Sequence, residues 1–187
     1  MKEKLGFTLI ETLLVVFVLG IVLVIGGGLF FNIMKASTKV EVEKEVKQNG
    51  EYTLAIMERI IRNSSNISLC GWEELVITNQ DGELTKFRLV TDGDVDKIAS
   101  SSGSPGWTTN LFLTGDGVFA SRDADGHMFY CYDSQGDECY TPACTSEQFR
   151  RVKINFSLSP KGSTRGASET YAEIQFQTSI SLRNFPR

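Results

Sequence analysis

The chain opens with a long apolar block and ends in short alternating ones. From Leu13 to Phe31 it runs 19 residues without a charged side chain, mostly Leu, Val, Ile, Phe and Gly. At about 1.5 Å per helical residue this covers roughly 29 Å, the thickness of a bilayer core. Beyond it, Val40, Val42, Val46, Leu54, Ile56, Met57, Ile60 and Ile61 interleave with Lys39, Glu41, Glu43, Lys44, Glu45, Lys47, Glu51, Glu58 and Arg59. That pattern predicts an amphipathic helix to about Asn63, its apolar stripe tightest from Tyr52 to Ile61. The charged stretch from Lys39 to Lys47 is expected in solvent or against neighbouring subunits. Gly50 offers a bend, and Asn63-Ser64-Ser65-Asn66 stops the helix.

From Ile67 the period changes to two. Leu75 to Thr78 and Leu84 to Val90 flank Asn79-Gln80-Asp81-Gly82, which predicts a hairpin turning at Asp-Gly. Further strands are expected at Leu111 to Leu113, Val118 to Ala120 and Met128 to Tyr132. Arg151 to Leu158 and Tyr171 to Leu182 form a last pair, joined by the Gly- and Ser-rich loop from Pro160 to Ser168. The fold class is therefore α+β: a long N-terminal helix, transmembrane and then amphipathic, packed on a C-terminal antiparallel sheet. The sheet region is about 125 residues, enough for one domain.

One acid interrupts the apolar logic. Glu11 sits at the rim of the span without a charged partner in it, and an acid so placed is expensive for insertion and marks function by default. Two plainer readings compete. An ordinary secretory signal has a shorter apolar region and a small-residue cleavage site, and no Ala-x-Ala pattern follows here. In a plain single-span anchor Glu11 merely snorkels to the interface. Lys2 and Lys4 put the N-terminus in the cytoplasm and the rest outside, although Lys35, Lys39, Lys44 and Lys47 make the charge count alone ambiguous.

The short leader Met1-Lys2-Glu3-Lys4-Leu5-Gly6, followed by Phe-Thr-Leu-Ile-Glu and the apolar helix, resembles the type III signal of type IV prepilins and type II secretion pseudopilins. The resemblance implies cleavage by a prepilin peptidase after Gly6 and N-methylation of Phe7. It also implies a helix that anchors in the membrane before assembly, at an inner-membrane platform, and forms the filament core with other pilin subunits afterwards. A glycine at position 6 lets the scissile backbone lie flat in a protease site. Glu11 would then pair with the terminal amine of a neighbouring subunit and fix axial register. In these terms residues 1–6 are a leader, 7–31 the membrane and filament-core helix, 32–63 its amphipathic continuation and 64–187 an extracytoplasmic domain, periplasmic or at the cell surface.

Gly20 and the triplet Gly26, Gly27 and Gly28 each cost about 1 kcal/mol relative to Ala in a helix. Many type IV pilins carry a helix-breaking proline near the position of Gly28; here no proline precedes Pro105. The triplet supplies either the same extensibility or close helix packing. The ending Phe-Gln-Thr-Ser-Ile-Ser-Leu-Arg-Asn and the segment Met57-Glu58-Arg59-Ile60-Ile61-Arg62 resemble minor pseudopilins, most closely the J-type component or the W-type minor pilin. Arg183-Asn184 also reads simply as a polar strand end.

Four cysteines, Cys70, Cys131, Cys139 and Cys144, all lie in the domain, an even number suited to an oxidising compartment. Two disulfides are expected. Of three pairings, Cys139 with Cys144 across Tyr-Thr-Pro-Ala and Cys70 with Cys131 is favoured, the alternatives being nearly as good. A zinc site from His127, Cys131, Cys139 and Cys144 is the rival, without paired-ligand knuckles. Asp92-Gly93-Asp94-Val95-Asp96 and Asp123-Ala124-Asp125-Gly126 offer carboxylates for calcium, but solvated acidic turns explain both, and no cofactor is expected.

One histidine and the absence of a nucleophile motif, a paired metal motif or a phosphate loop leave no catalytic assignment. The net charge of −4, about −5 once Lys2, Glu3 and Lys4 are removed, opposes a general nucleic-acid surface. Local basic patches, Lys161 with Arg165 or Arg150 with Arg151 and Lys153, remain. The leading reading is a structural, minor filament subunit. The others are a minor pilin that binds DNA or a surface, and an anchored domain that never polymerises.

Overall fold

The computed structural model describes residues 8–103, 110–145, 149–161 and 173–182. Several expectations lie outside them: the cleavage and methylation residues Gly6 and Phe7, the first two residues of the last predicted strand, Arg165, and Arg183-Asn184. By compactness the chain divides into Met1–Glu41 and Val42–Arg187.

One helix, α1 (Leu9–Arg62), supplies the first unit and the opening of the second. Its helical hydrogen bonding continues through Gly26, Gly27 and Gly28. In the second unit the buried stripe is Val46, Gly50, Thr53, Met57 and Ile61, spaced four, three, four and four residues apart, as one face of a helix requires. This shifts the expected stripe: Tyr52 is 59% exposed, whereas Val46, within the charged stretch, is buried. Gly50 is not a bend. It stands where the Phe176 ring meets the helix, and a Cβ there would lie 2.1 Å from the ring's Cζ. The helix ends as expected, with Ser64 Oγ donating to Ile61 O at 2.7 Å.

The strands form two antiparallel sheets. The first contains β1 (Asn66–Cys70), β2 (Glu74–Thr78), β3 (Leu84–Asp92), β4 (Val95–Ser102) and β5 (Leu111–Phe112), in that order. The predicted hairpin is β2 and β3, with Thr78 opposite Leu84 and Gly82 at φ 86°. β4 replaces what reads from sequence as an acidic turn and loop. Asp92 pairs with Val95 across Gly93-Asp94, with Gly93 at φ 65° and, among the described residues, no other residue type at positive φ. This matches a type II′ hairpin, which wants Gly first.

The second sheet is built on β8 (Arg151–Pro160). β9 (Ile174–Ser181) runs along one edge, while β6 (Val118–Ser121) and β7 (Phe129–Tyr132) lie end to end on the other. Paired on both sides, β8 buries every residue from Ile154 to Leu158, including Asn155 and Ser157. β4 lies beside β6, and the core fills with Phe87, Phe129, Phe149, Phe156, Met57 and Ile98, each under 2% exposed.

The favoured disulfide pairing is present: Cys70–Cys131, Cα–Cα 6.5 Å, and Cys139–Cys144, Cα–Cα 5.8 Å. The first ties the end of β1 in one sheet to β7 in the other, closing a separation of 61 residues.

Candidate assembly site

At the start of α1, Thr8 is the N-cap. Glu11 N donates to Thr8 O at 3.1 Å and to Thr8 Oγ1 at 3.4 Å. Thr8-Leu9-Ile10-Glu11 thus has the Thr-x-x-Glu spacing of a capping box, in which the hydroxyl satisfies an orphan amide of the first turn. Sequence reasoning passed over Thr8, although the spacing alone carries the signal. The capping bond uses the Glu11 backbone amide; the Glu11 carboxylate complements the positive end of the helix. It is exposed, and no charged group pairs with it among the described residues.

Every large apolar side chain from Leu9 to Met34 is between 47% and 83% exposed. The helix is long and apolar enough to cross a membrane, with a mean hydropathy of 2.9 in its best 18-residue window. A Cβ added at Gly20, Gly26, Gly27 or Gly28 would meet nothing within 4 Å. No packing among the described residues calls for glycine at those four positions.

The other end of α1 is joined to the domain by polar contacts as well as by its apolar stripe. Asn49 Oδ1 accepts from Gly115 N at 2.9 Å, Thr53 Oγ1 lies 3.1 Å from Leu113 O, and a Cβ at Gly117 would collide with the Glu45 carboxylate. Beside this loop, Lys97 of β4, its side chain 7% exposed, pairs with Asp92 at 2.7 Å and Asp116 at 2.6 Å. Hydrogen bonds donated to Asp116 and then Asp92 hold the ammonium above its usual range, and Lys97 holds the Asp116 carboxyl below its own. Its Nζ also lies 4.8 Å from the centre of the Phe112 ring. The acidic run at 92–96 therefore serves a lysine: Asp92 bonds Lys97, and Asp96 accepts from Thr91 Oγ1 at 2.6 Å.

The second acidic turn is also occupied. Asp123 accepts from His127 N at 2.8 Å, Asp125 N at 3.1 Å, Asn155 Nδ2 at 3.1 Å and the Tyr130 hydroxyl. Burial pushes the Asp123 carboxyl upward, but the four donors outweigh it and leave the net shift downward. With all four cysteines in disulfides, the zinc set of His127, Cys131, Cys139 and Cys144 is overturned. No cluster of metal-ligating side chains occurs among the described residues. His127 instead stacks under Trp72, centroids 4.8 Å apart, with Tyr140 edge-on to both. Of the basic strand residues, Lys153 lies over Tyr130 and Arg151 over Tyr132.

Residues 1–27 match the family model for the prokaryotic N-terminal methylation motif. No curated protein and no solved structure matches the chain.

Proposed function

Starting from an N-terminus that carries the methylation motif of the type IV prepilin and pseudopilin superfamily, we propose that the chain is a minor structural subunit of a type IV pilus or type II secretion pseudopilus. The motif supports a pilin-like processed subunit, structural in kind. The reading assigns cleavage to the Gly6–Phe7 bond, methylation to the Phe7 amine and assembly to Glu11. Residues 1–6 act as leader, 7–31 as anchor and filament core, 32–63 as the amphipathic continuation and 64–187 as the extracytoplasmic domain. Its partners are the prepilin peptidase, an inner-membrane platform and other pilin subunits.

The observation that carries the proposal is an uncovered apolar helix whose first turn presents one acid. Lipid satisfies the apolar surface before assembly and neighbouring helices satisfy it afterwards. The acid, buried by those neighbours, needs a cation, and a new terminal amine on the adjacent subunit is one. The cap runs through the Glu11 backbone amide, which any residue at that position supplies, so Glu11→Gln and Glu11→Ala both keep it; Glu11→Gln removes the charge alone, whereas Glu11→Ala removes the whole polar side chain. If charge pairing drives assembly, both variants are processed normally, with one added methyl mass on Phe7, and both vanish from sheared filaments. If the Glu11 charge has no part in assembly, Glu11→Gln assembles like the parent and the proposal falls.

A binding role for the exposed domain is the second reading, favoured by Trp72, which is 55% exposed and held flat on His127. Such a platform suits a stacked base. Trp72→Ala should then weaken single-stranded DNA binding, and the binding itself should fall with salt.

A further inference from the structure

Of the five outer strands, β6 is four residues long and lies beside β4, and three of the other four are blunted in the ways proteins use to keep sheet edges from pairing with other chains. β1 is interrupted by a register shift between Ile67 and Leu69 and is bonded on its outer side to Thr141. β5 is two residues long. β7 is covered by the Cys139 amide on Cys131 O and by a bridge from Glu138 to Tyr132. β9 has none of these devices. Its eight residues, Ile-Gln-Phe-Gln-Thr-Ser-Ile-Ser, contain no charge, no Pro and no Gly, its register against β8 is unbroken, and no strand lies on its outer side among the described residues.

The hydrogen-bond phase shows what that edge offers. Leu182 N donates to Arg150 O, so alternation turns the backbone groups of Ile174, Phe176, Thr178 and Ile180 toward β8. Those of Gln175, Gln177, Ser179 and Ser181 point outward, and their side chains are exposed.

We infer that β9 is an interface for a second copy of this chain, paired antiparallel to its own β9 about a two-fold axis at Thr178. This register sets Gln175 opposite the partner's Ser181 and Gln177 opposite the partner's Ser179. All four outward residues of each strand are then in hydrogen-bonded pairs, giving about eight backbone bonds. It also sets Phe176 opposite Ile180 on the core side and keeps each side chain on its proper face, which a shift by one residue would not. A charged partner strand would find no counter-ion along β9, whereas a neutral strand meeting itself meets no like charges. Docking of this kind is self-complementary, as an isologous contact must be.

The test uses the full-length chain in membranes, as two differently tagged single-cysteine additions, Gln175→Cys and Ser181→Cys. Opposed positions fall within disulfide reach, whereas two copies of position 175 lie about 20 Å apart in this register. On mild oxidation the mixed pair is expected to cross-link as a dimer and neither variant alone to do so. Adding Gln177→Lys and Ser179→Lys, which change only outward side chains, should abolish the cross-link while leaving the thermal midpoint near that of the parent. Cross-linking of Gln175→Cys to itself, to another protein or to nothing would each overturn the inference. The contact belongs to the folded domain, so Glu11→Gln should leave the cross-link intact. The interface and the Glu11 proposal therefore fail separately.

Discussion

Gly50→Ala is the sharpest test of how α1 is joined to the domain. In an exposed helix this change would stabilise by about 1 kcal/mol. Here the new Cβ would lie 2.1, 2.3 and 2.4 Å from three carbons of the Phe176 ring. Ordinary carbon contacts are about 3.5 to 4.0 Å, so the ring must retreat by roughly 1.5 Å. It has little room, because Phe176 is opposite Phe156 in the β8–β9 register and the two rings stack 5.5 Å apart. Overpacking of this kind costs about 1–3 kcal/mol, and three ring contacts place it at the upper end. Less the helix gain, the net loss is about 2 kcal/mol, or roughly 4–8 °C for a chain of this size. Thermal unfolding of the full chain in detergent, followed by circular dichroism, measures it. In a Phe176→Leu background the overpacking should disappear and leave the helix gain of about 1 kcal/mol, a coupling of about 3 kcal/mol. A higher melting temperature for Gly50→Ala, or an equal penalty in both backgrounds, would refute the account.

The two disulfides should differ in worth. Loop-closure entropy gives about 4 kcal/mol for the 61-residue separation of Cys70–Cys131 and about 2 for the five-residue separation of Cys139–Cys144, so paired Ser substitutions followed by denaturant unfolding should rank in that order. Asp123, held below its usual range, contributes stability that is present above about pH 4 and lost as pH falls through its lowered folded value. Asp123→Ala should cost about 2–3 kcal/mol at neutral pH and flatten the acid limb of a stability–pH curve. Tyr130, pushed upward by burial and then by Asp123, keeps its contribution below about pH 10 and loses it as pH rises beyond; Tyr130→Phe should flatten that alkaline limb. Replacing Gly26, Gly27 and Gly28 together by Ala should raise the helicity of the isolated subunit and lower its yield in sheared filaments, and an unchanged yield would show that the triplet has no part in assembly.

The sequence was most legible where one physical requirement acts alone. An uncharged span, a hairpin with Asp-Gly at its turn and the strictly alternating Arg151 to Leu158 each follow from a single period, and each is present. β4 was missed because its pattern mixes requirements. Ser100 and Ser101 are buried beside Ile98 and Ala99, and Lys97 is tolerated inside only because Asp92 and Asp116 reach it from other segments. No window of local sequence contains that triad. Gly50 was misjudged for the same reason, since the ring that requires it is 126 positions away in β9. Thr8 was different: its spacing to Glu11 was visible, and the motif around it drew the reading toward the carboxylate's distant partner.

Burial of apolar surface is non-directional, so the face from Leu13 to Met34 can attract another helix without fixing where along the axis it sits. Leu, Val, Ile and Phe recur so densely that sliding by a turn exchanges like for like. A single charge at one end changes this, because in a low-dielectric surrounding only the register that satisfies it is tolerable. Glu11 is suited to that task by being capped into place by Thr8, which fixes the helical start from which its carboxylate projects. The glycine triplet, fifteen to seventeen residues further on, costs about 3 kcal/mol in an isolated helix, and none of the described residues fills the space beside it. Under the proposed function, charge would select the register and the glycines would decide how closely, or how extended, the selected helices lie. Glu11→Gln should therefore abolish assembly, whereas the glycine substitutions should lower its yield without redirecting it.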